Sequence, residues 1–242
     1  MKARYLQNTL TRFFFMLRKE GLTYVVIFCF NCLFAIVISS IYKIGNNKSI
    51  QFKGKELPLF FHRYNHTWLN ERLIEIPIFK SLLDENKGKR ILEVGNVLSH
   101  YFPVSHKIVD KYEKSENVIN QDIVDFHPKK KYDLIISIST LEHVGYEEKP
   151  QKPEKIFRAI ENLRKLCADN GRIYVSVPVG ENPFLDRYIR TGQIQFKPQY
   201  NYIRPSPREW KLTEYEKLKN VKHNSPYKFG NAVIIGGINS AP

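Results

Sequence analysis

Arg90-Ile91-Leu92-Glu93-Val94-Gly95-Asn96 reads as a short buried strand that runs into a glycine turn. Two later runs have the same pattern, Ile108-Val109-Asp110 and Tyr132-Asp133-Leu134-Ile135-Ile136-Ser137. Near-continuous apolar runs of this length are expected where both faces of a parallel sheet are covered. Acids, glycines and small polar residues at their C-terminal ends are expected where such a sheet edge binds a ligand.

Working outward, a short strand around Asn117 to Ile119 falls between the second and third runs, and Arg172 to Val177 makes a fifth, stopped by Pro178. Pro153 suits a first helical turn, Ile156, Ile160, Leu163 and Cys167 form one apolar stripe, and Asn170-Gly171 ends that helix. Between Gly95 and Asp110 a loop, a helix and a return must fit around Pro103, so that helix can be little more than two turns. Alternation of strand and crossover predicts an α/β doubly wound, mostly parallel sheet with helices on its faces. Toward the C-terminus, Asn182-Pro183 opens a short helix that Gly192 ends, and Gln199 to Ile203 is extended. Ser206 with Glu209 and Thr213 with Glu216 both have capping-box spacing, so the last helix has two possible starts. Asn231 to Ile238 reads as a final, antiparallel strand.

Upstream, Thr67 can cap a helix with Leu69, Leu73 and Ile76 on one face, which Pro77 breaks before Phe79, Leu82 and Leu83 resume it. Residues 45–55 read as a polar linker with glycines and lysines, which sets the domain boundary near residue 56. From Gly21 to Tyr42 there is no charged residue. That length of apolar chain is expected to span a bilayer as a helix over residues 21–44, in preference to a cleaved signal or a buried core helix. The preceding residues 1–20 form a basic segment, in which Arg12-Phe13-Phe14-Phe15-Met16-Leu17-Arg18 suits the membrane interface.

The 242 residues are ample for one well-buried domain plus an appendage. Three cysteines, two of them in the apolar run, exclude a disulfide framework or a zinc cluster. The 38 basic and 24 acidic residues give a net charge of +14, but the lysines are spread along the chain. No basic run is interleaved with aromatics, which argues against nucleic acid as a partner.

Taken together, Ile91 to Gly95, Ile108 to Asp110, Asn120-Gln121-Asp122-Ile123, Tyr132 to Ser137 and Leu141-Glu142-His143-Val144 are ordered and spaced much as in one family. Over residues 88–180 the chain resembles the Rossmann-like (class I) S-adenosylmethionine-dependent methyltransferases, of the type 11/12 kind. The resemblance implies a methyltransferase-like domain over residues 56–242, with S-adenosylmethionine as cofactor. It implies that Glu93 serves the methionine end, that Gly95 and Asn96 form the cofactor loop, and that Asp122 and Ile123 flank the adenine. Ser139, with Thr140, would line the floor beneath the sulfonium.

Asp110, ending the second strand, is placed to accept both ribose hydroxyl protons. Gly95 allows close backbone approach; the family's Gly-x-Gly becomes Gly95-Asn96-Val97 here, and Asn96, which tolerates left-handed backbone, is expected to replace part of what the missing glycine does. His143 is the candidate general base, with Glu142 as second choice. Asp133, at the start of its strand, is far from the binding edge.

The expected function is methyl transfer to a hydroxyl or similar acceptor on a small molecule, glycan or lipid-linked intermediate at a membrane. The alternative is a catalytically silent scaffold of the same fold, motivated by the altered glycine loop. A dinucleotide enzyme is disfavoured because Gly-x-Gly-x-x-Gly is absent. The cofactor's usual setting in this family puts the domain on the cytoplasmic face, whereas the flanking charges lean slightly toward a cytoplasmic N-terminus.

Overall fold

The computed structural model describes residue 37 and residues 48–239. The basic segment and the expected membrane span therefore lie, but for Val37, outside the described residues. Among the described residues no helix is long and apolar enough to cross a membrane. The chain divides into two compact units, residues 1–46 with 61–66, and residues 47–60 with 67–242. In the first, a turn is closed by His66 N–H donating to the Arg63 carbonyl at 3.2 Å. The second unit holds the sheet and its helices.

That unit begins with a hairpin, β1 (Ser49–Phe52) and β2 (Lys55–Pro58), where a polar linker was expected. Ile50 and Phe52 alternate inward and are buried, while Lys53 and Gly54 turn the chain with positive φ. Two apolar residues at period two were enough to anchor a stretch whose composition is otherwise that of a linker.

Helix α1 (Arg72–Glu85) runs unbroken through Pro77. Proline removes the N–H that would reach the Leu73 carbonyl, and the backbone N–H of Phe60 takes that carbonyl instead, at 3.0 Å. An outside donor thus repairs the break that Pro77 predicts. Thr67 is not its cap: the Thr67 hydroxyl donates to the Phe60 carbonyl at 2.6 Å, and the helix starts after Glu71.

The sheet contains β3 (Ile91–Val94), β4 (Lys107–Asp110), β5 (Val118–Asn120), β6 (Tyr132–Ile138), β7 (Cys167–Pro178), β8 (Gln199–Ser206), β9 (Glu209–Thr213) and β10 (Ala232–Ile238). Their spatial order is β5-β4-β3-β6-β7-β10-β8-β9. Strands β3 to β7 pair in parallel, whereas β10 is antiparallel to both neighbours and separates β7 from β8. The expected doubly wound sheet is present, and its last strand is inserted within the sheet rather than added at the edge. Strand order reverses between β3 and β6, which is the switch point where such sheets open a crevice at their carboxyl ends.

Helix α2 (Lys155–Leu166) buries Ile156, Ala159, Ile160 and Leu163 against one face, in a core with Leu92, Val94, Val109 and Ile135. It ends four residues before Asn170-Gly171, because Cys167 already pairs with Tyr132 as the first residue of β7. Helix α3 (Pro183–Arg190) is capped as expected, Asn182 Oδ1 accepting from the N–H groups of Phe184 and Leu185 at 3.0 and 3.1 Å.

Two expectations fail. Only a 3-10 turn, Leu98–His100, occupies the β3–β4 connection. Neither capping box starts a helix: Ser206 donates to Glu209 at 3.2 Å across the β8–β9 hairpin, and Thr213 leads only into a 3-10 turn at Tyr215–Leu218. The same spacing that caps a helix also closes a tight hairpin.

Candidate functional site

At the switch point, a cleft of about 200 Å³ opens between the ends of β3, β4, β5 and β6. Its walls include Gly95, Asn96, Asp110, Asp122, Ile123, Thr140 and His143. Seven of the ten site residues read from the sequence thus line one crevice; Glu93, Ser139 and Glu142 do not.

The loop after β3 is held from within. Gly95 N–H donates to the Val109 carbonyl at 2.9 Å, Asn96 N–H to Asp110 Oδ2 at 3.1 Å, and Val97 and Leu98 N–H to Glu93 Oε1 at 2.9 and 2.8 Å. Four successive amides therefore point into the protein. Glu93, fully buried, does not line the cleft; it lies beneath the loop, its other oxygen 2.6 Å from His106 Nε2. Gly95 has φ +84°, and a Cβ there would stand 2.2 Å from Thr140 Oγ1. Asn96 is not among the residues with positive φ. The expected left-handed backbone is absent, and its side chain braces the loop instead: Nδ2 donates to Glu113 at 2.7 Å and Oδ1 accepts from Ser99.

Asp110 Oδ1 accepts from the N–H groups of Tyr112 and Glu113, both at 2.8 Å, so with Asn96 the carboxylate holds three backbone donors. A carboxylate has about four acceptor positions. Room remains for one ligand hydroxyl, where the sequence suggested two.

Asp122 caps its own turn through Val124 N–H at 3.1 Å and meets Lys155 Nζ at 2.6 Å and Lys111 Nζ at 3.1 Å. Burial alone would raise its pKa, but Lys155, the Val124 N–H and Lys111 outweigh that and hold it below the usual range. Glu148 links the same two lysines, Lys111 at 2.7 Å and Lys155 more closely, and Lys111 first among them lowers its pKa. Burial opposes the charge on Lys111, yet the two carboxylates keep it protonated above the ordinary lysine range. Asn162 on α2 fixes the turn beneath, donating to the carbonyls of Ile123 and Phe126 at 2.6 and 2.9 Å.

Sequence reading missed Lys111, Tyr112, Glu148 and Lys155, all of which border the cleft. Two of their four pairs, Lys111 with Glu148 and Lys155 with Asp122, lie more than thirty residues apart, and nothing local marks them. Only the position of Lys111 and Tyr112 directly after Asp110 could have drawn attention to them.

Ser139 departs from its expected place. It has φ +38°, and its hydroxyl turns away to donate to Glu75 Oε1 of α1 at 2.6 Å, leaving Thr140 to line the cleft. His143 borders the cleft, with Nδ1 2.9 Å from Glu147 Oε1 and Nε2 3.7 Å from Glu142 Oε1. Glu142 is 1 % exposed, and neither carboxyl oxygen has a hydrogen-bond partner. Burial, with Glu181 and Glu75 nearby, raises its pKa well above the carboxylate range against the opposing pull of its own backbone N–H. Asp133 is bound to Arg90 at the opposite end of β6, away from the cleft as expected.

No family model matches the chain, and no curated protein matches it. Solved structures do. The N-methyltransferase NodS from Bradyrhizobium japonicum, in complex with S-adenosyl-L-homocysteine, is similar with a TM-score of 0.40 and 12% identity over 71% of this chain and 92% of that one. A SAM-dependent methyltransferase from Archaeoglobus fulgidus has a TM-score of 0.38 and 15% identity, covering 68% of this chain and 95% of its own. A SAM-dependent methyltransferase from Thermotoga maritima, described as a possible histamine N-methyltransferase, has a TM-score of 0.38 and 16% identity over 62% and 81%. These structural neighbours of the chain are SAM-dependent methyltransferases, similar to it at low sequence identity.

Proposed function

We propose that this protein transfers a methyl group from S-adenosylmethionine to a nucleophilic oxygen or nitrogen of a small molecule, glycan or lipid-linked acceptor. The observation that carries the reading is the loop at Gly95 to Leu98, whose four amides are all directed inward at the switch point of the sheet. A pyrophosphate-binding loop needs those amides turned outward toward the anion. Here they are committed, so the crevice suits a ligand without phosphates. Gly95 keeps the approach to the backbone open, Asp110 retains one acceptor for a hydroxyl, and Ile123 offers an apolar wall.

The cofactor, when bound, supplies a methyl carbon already activated by a positive sulfur. What the chain contributes is orientation in the cleft and proton handling at His143 and Glu142. His143 Nδ1 stands 2.9 Å from Glu147 Oε1 and Nε2 3.7 Å from Glu142 Oε1, so the ring lies between two carboxylates. Alignment of nucleophile with the reacting carbon accounts for much of the rate in such displacements.

The apolar run from Gly21 to Tyr42 supports a single-pass membrane anchor through residues 21–44 with the domain facing the cytoplasm. Resistance of the full chain to alkaline extraction, and protease access to a C-terminal tag in sealed vesicles, test the two halves of that statement.

A second reading, a silent scaffold, is favoured by one feature: Lys111 and Glu148, both lining the cleft, are tied to each other at 2.7 Å. Calorimetry on the full chain separates the two. Binding of S-adenosylmethionine but not of NAD, weakened at least tenfold by Asp110→Ala, supports the enzyme; absence of binding supports the scaffold.

A further inference from the structure

Beside the cleft, α1 and the ends of β6 and β7 bring together an excess of acid. Glu75, fully buried, is paired with Arg72 and receives the Ser139 hydroxyl. Glu71, which also acts on Arg72, accepts from Gly230 N–H at 3.0 Å. Glu181 lies 3.6 Å from His223. Arg72 is thus paired with Glu75, Glu71 acts on both Arg72 and the buried Arg204, and Arg72 acts on Glu142 less than Glu181 and Glu75 do.

Independently of that charge excess, Glu142 is a buried carboxyl with both oxygens unpartnered. Native structures leave very few such groups, because an unmatched buried polar atom is destabilising. A ligand that completes the site is one reason to keep it. Glu142 stands next to the cleft without lining it: Thr140 and His143, on either side in sequence, border the cleft, and Glu142 Oε1 lies 3.7 Å from a ring nitrogen of His143.

We infer that the methyl acceptor is an amine, entering as its ammonium cation and received by the Glu142 carboxylate. This rests on the methyl-transfer reading and names its acceptor class. An ammonium supplies the donors that Glu142 lacks and offsets the surplus negative charge; an alcohol supplies one donor and no charge. An ammonium nitrogen has no lone pair for alkylation. Transfer of one proton converts R–NH3⁺ and the carboxylate into R–NH2 and the carboxylic acid, with charge conserved. His143, between Glu142 and the half-exposed Glu147, provides the route by which that proton reaches solvent.

The test uses the full chain saturated with S-adenosylhomocysteine, with n-butylamine and n-butanol as probes, read by calorimetry and by methyl transfer from labelled S-adenosylmethionine. Butylamine is expected to bind in preference to butanol, with affinity rising by up to tenfold per pH unit while Glu142 still loses its proton. Glu142→Gln, which keeps the side-chain shape, is expected to weaken amine binding roughly 30-fold or more and leave S-adenosylhomocysteine binding within about twofold. Uptake of neither probe, equal uptake of both, or an unchanged amine affinity in Glu142→Gln overturns the inference while the cofactor reading stands. Failure of the chain to bind S-adenosylhomocysteine overturns both.

Discussion

Substituting Gly95 by alanine tests the geometry of the cleft most directly, because two separate penalties can be read from one position. At φ +84° a Cβ is strained by about 1–2 kcal/mol. The same Cβ would stand 2.2 Å from Thr140 Oγ1, 2.8 Å from its Cγ2 and 3.0 Å from its Cβ. Overpacking of that kind costs roughly 1–3 kcal/mol. Together the loss is about 2–5 kcal/mol, against a total stability of order 5–15 kcal/mol for a domain. The variant should therefore fold, but with a urea midpoint lowered by roughly 1–2.5 M for a denaturant slope near 2 kcal/mol/M. Thr140→Ala removes the two nearest atoms, so the double variant is expected to recover most of the steric part and none of the backbone part. Thr140→Ala measured alone completes the cycle, since it also loses the bond from Thr140 Oγ1 to the Ile138 carbonyl. A midpoint within about 0.25 M of the parent for Gly95→Ala would refute the reasoning. So would full recovery in the double variant, which would mean that the backbone at residue 95 carries no strain.

Four shorter predictions accompany it. His106→Ala leaves Glu93 buried without its ring partner, and should destabilise the chain by about 1–3 kcal/mol in urea titrations and loosen amide protection at Val97 and Leu98 in hydrogen exchange. Glu148→Gln removes one of the two carboxylates that hold Lys111 in the cleft lining and should speed S-adenosylmethionine association in stopped-flow traces; an unchanged rate would mean the pair does not gate entry. Burial pushes the Asp186 carboxyl up to about 6, so the folded state binds its proton more tightly than the unfolded chain. Stability from this group is then present at low pH and is lost as pH rises through about 6, a slope that Asp186→Asn should abolish in thermal melts. Glu142, also raised by burial, has the same sign: Glu142→Gln should remove a decline of about 1.4 kcal/mol per pH unit above the ordinary carboxylate range.

Much of the site was legible because its residues stand at the ends of short apolar strands. Gly95, Asp110, Asp122 and Ile123 each follow or close such a run, and in a parallel sheet those ends meet at one edge whatever the intervening loops do. Side-chain direction was not legible in the same way. Ser139 and Thr140 are adjacent, yet a positive φ at Ser139 sends its hydroxyl to Glu75 on α1 while Thr140 faces the cleft. Glu93 looked like a ligand residue by position and instead holds the loop from below. The failed helix caps at Ser206 and Thr213 have a similar origin, since a local spacing compatible with two structures was decided by the pairing of β8 with β9.

The sequence by itself determined the strand runs, their parallel winding and the edge where the chemistry gathers, because burial on both faces of a sheet imposes a pattern that each short segment carries alone. Tertiary structure decided which groups are committed and which remain available. The inward turn of four loop amides, the Leu73 carbonyl rescued by Phe60, the Lys111 to Glu148 bridge and the unpartnered Glu142 all depend on groups brought close by the fold. Hydrogen bonds and ion pairs act over a few ångströms of space, and distance along the chain does not report that separation.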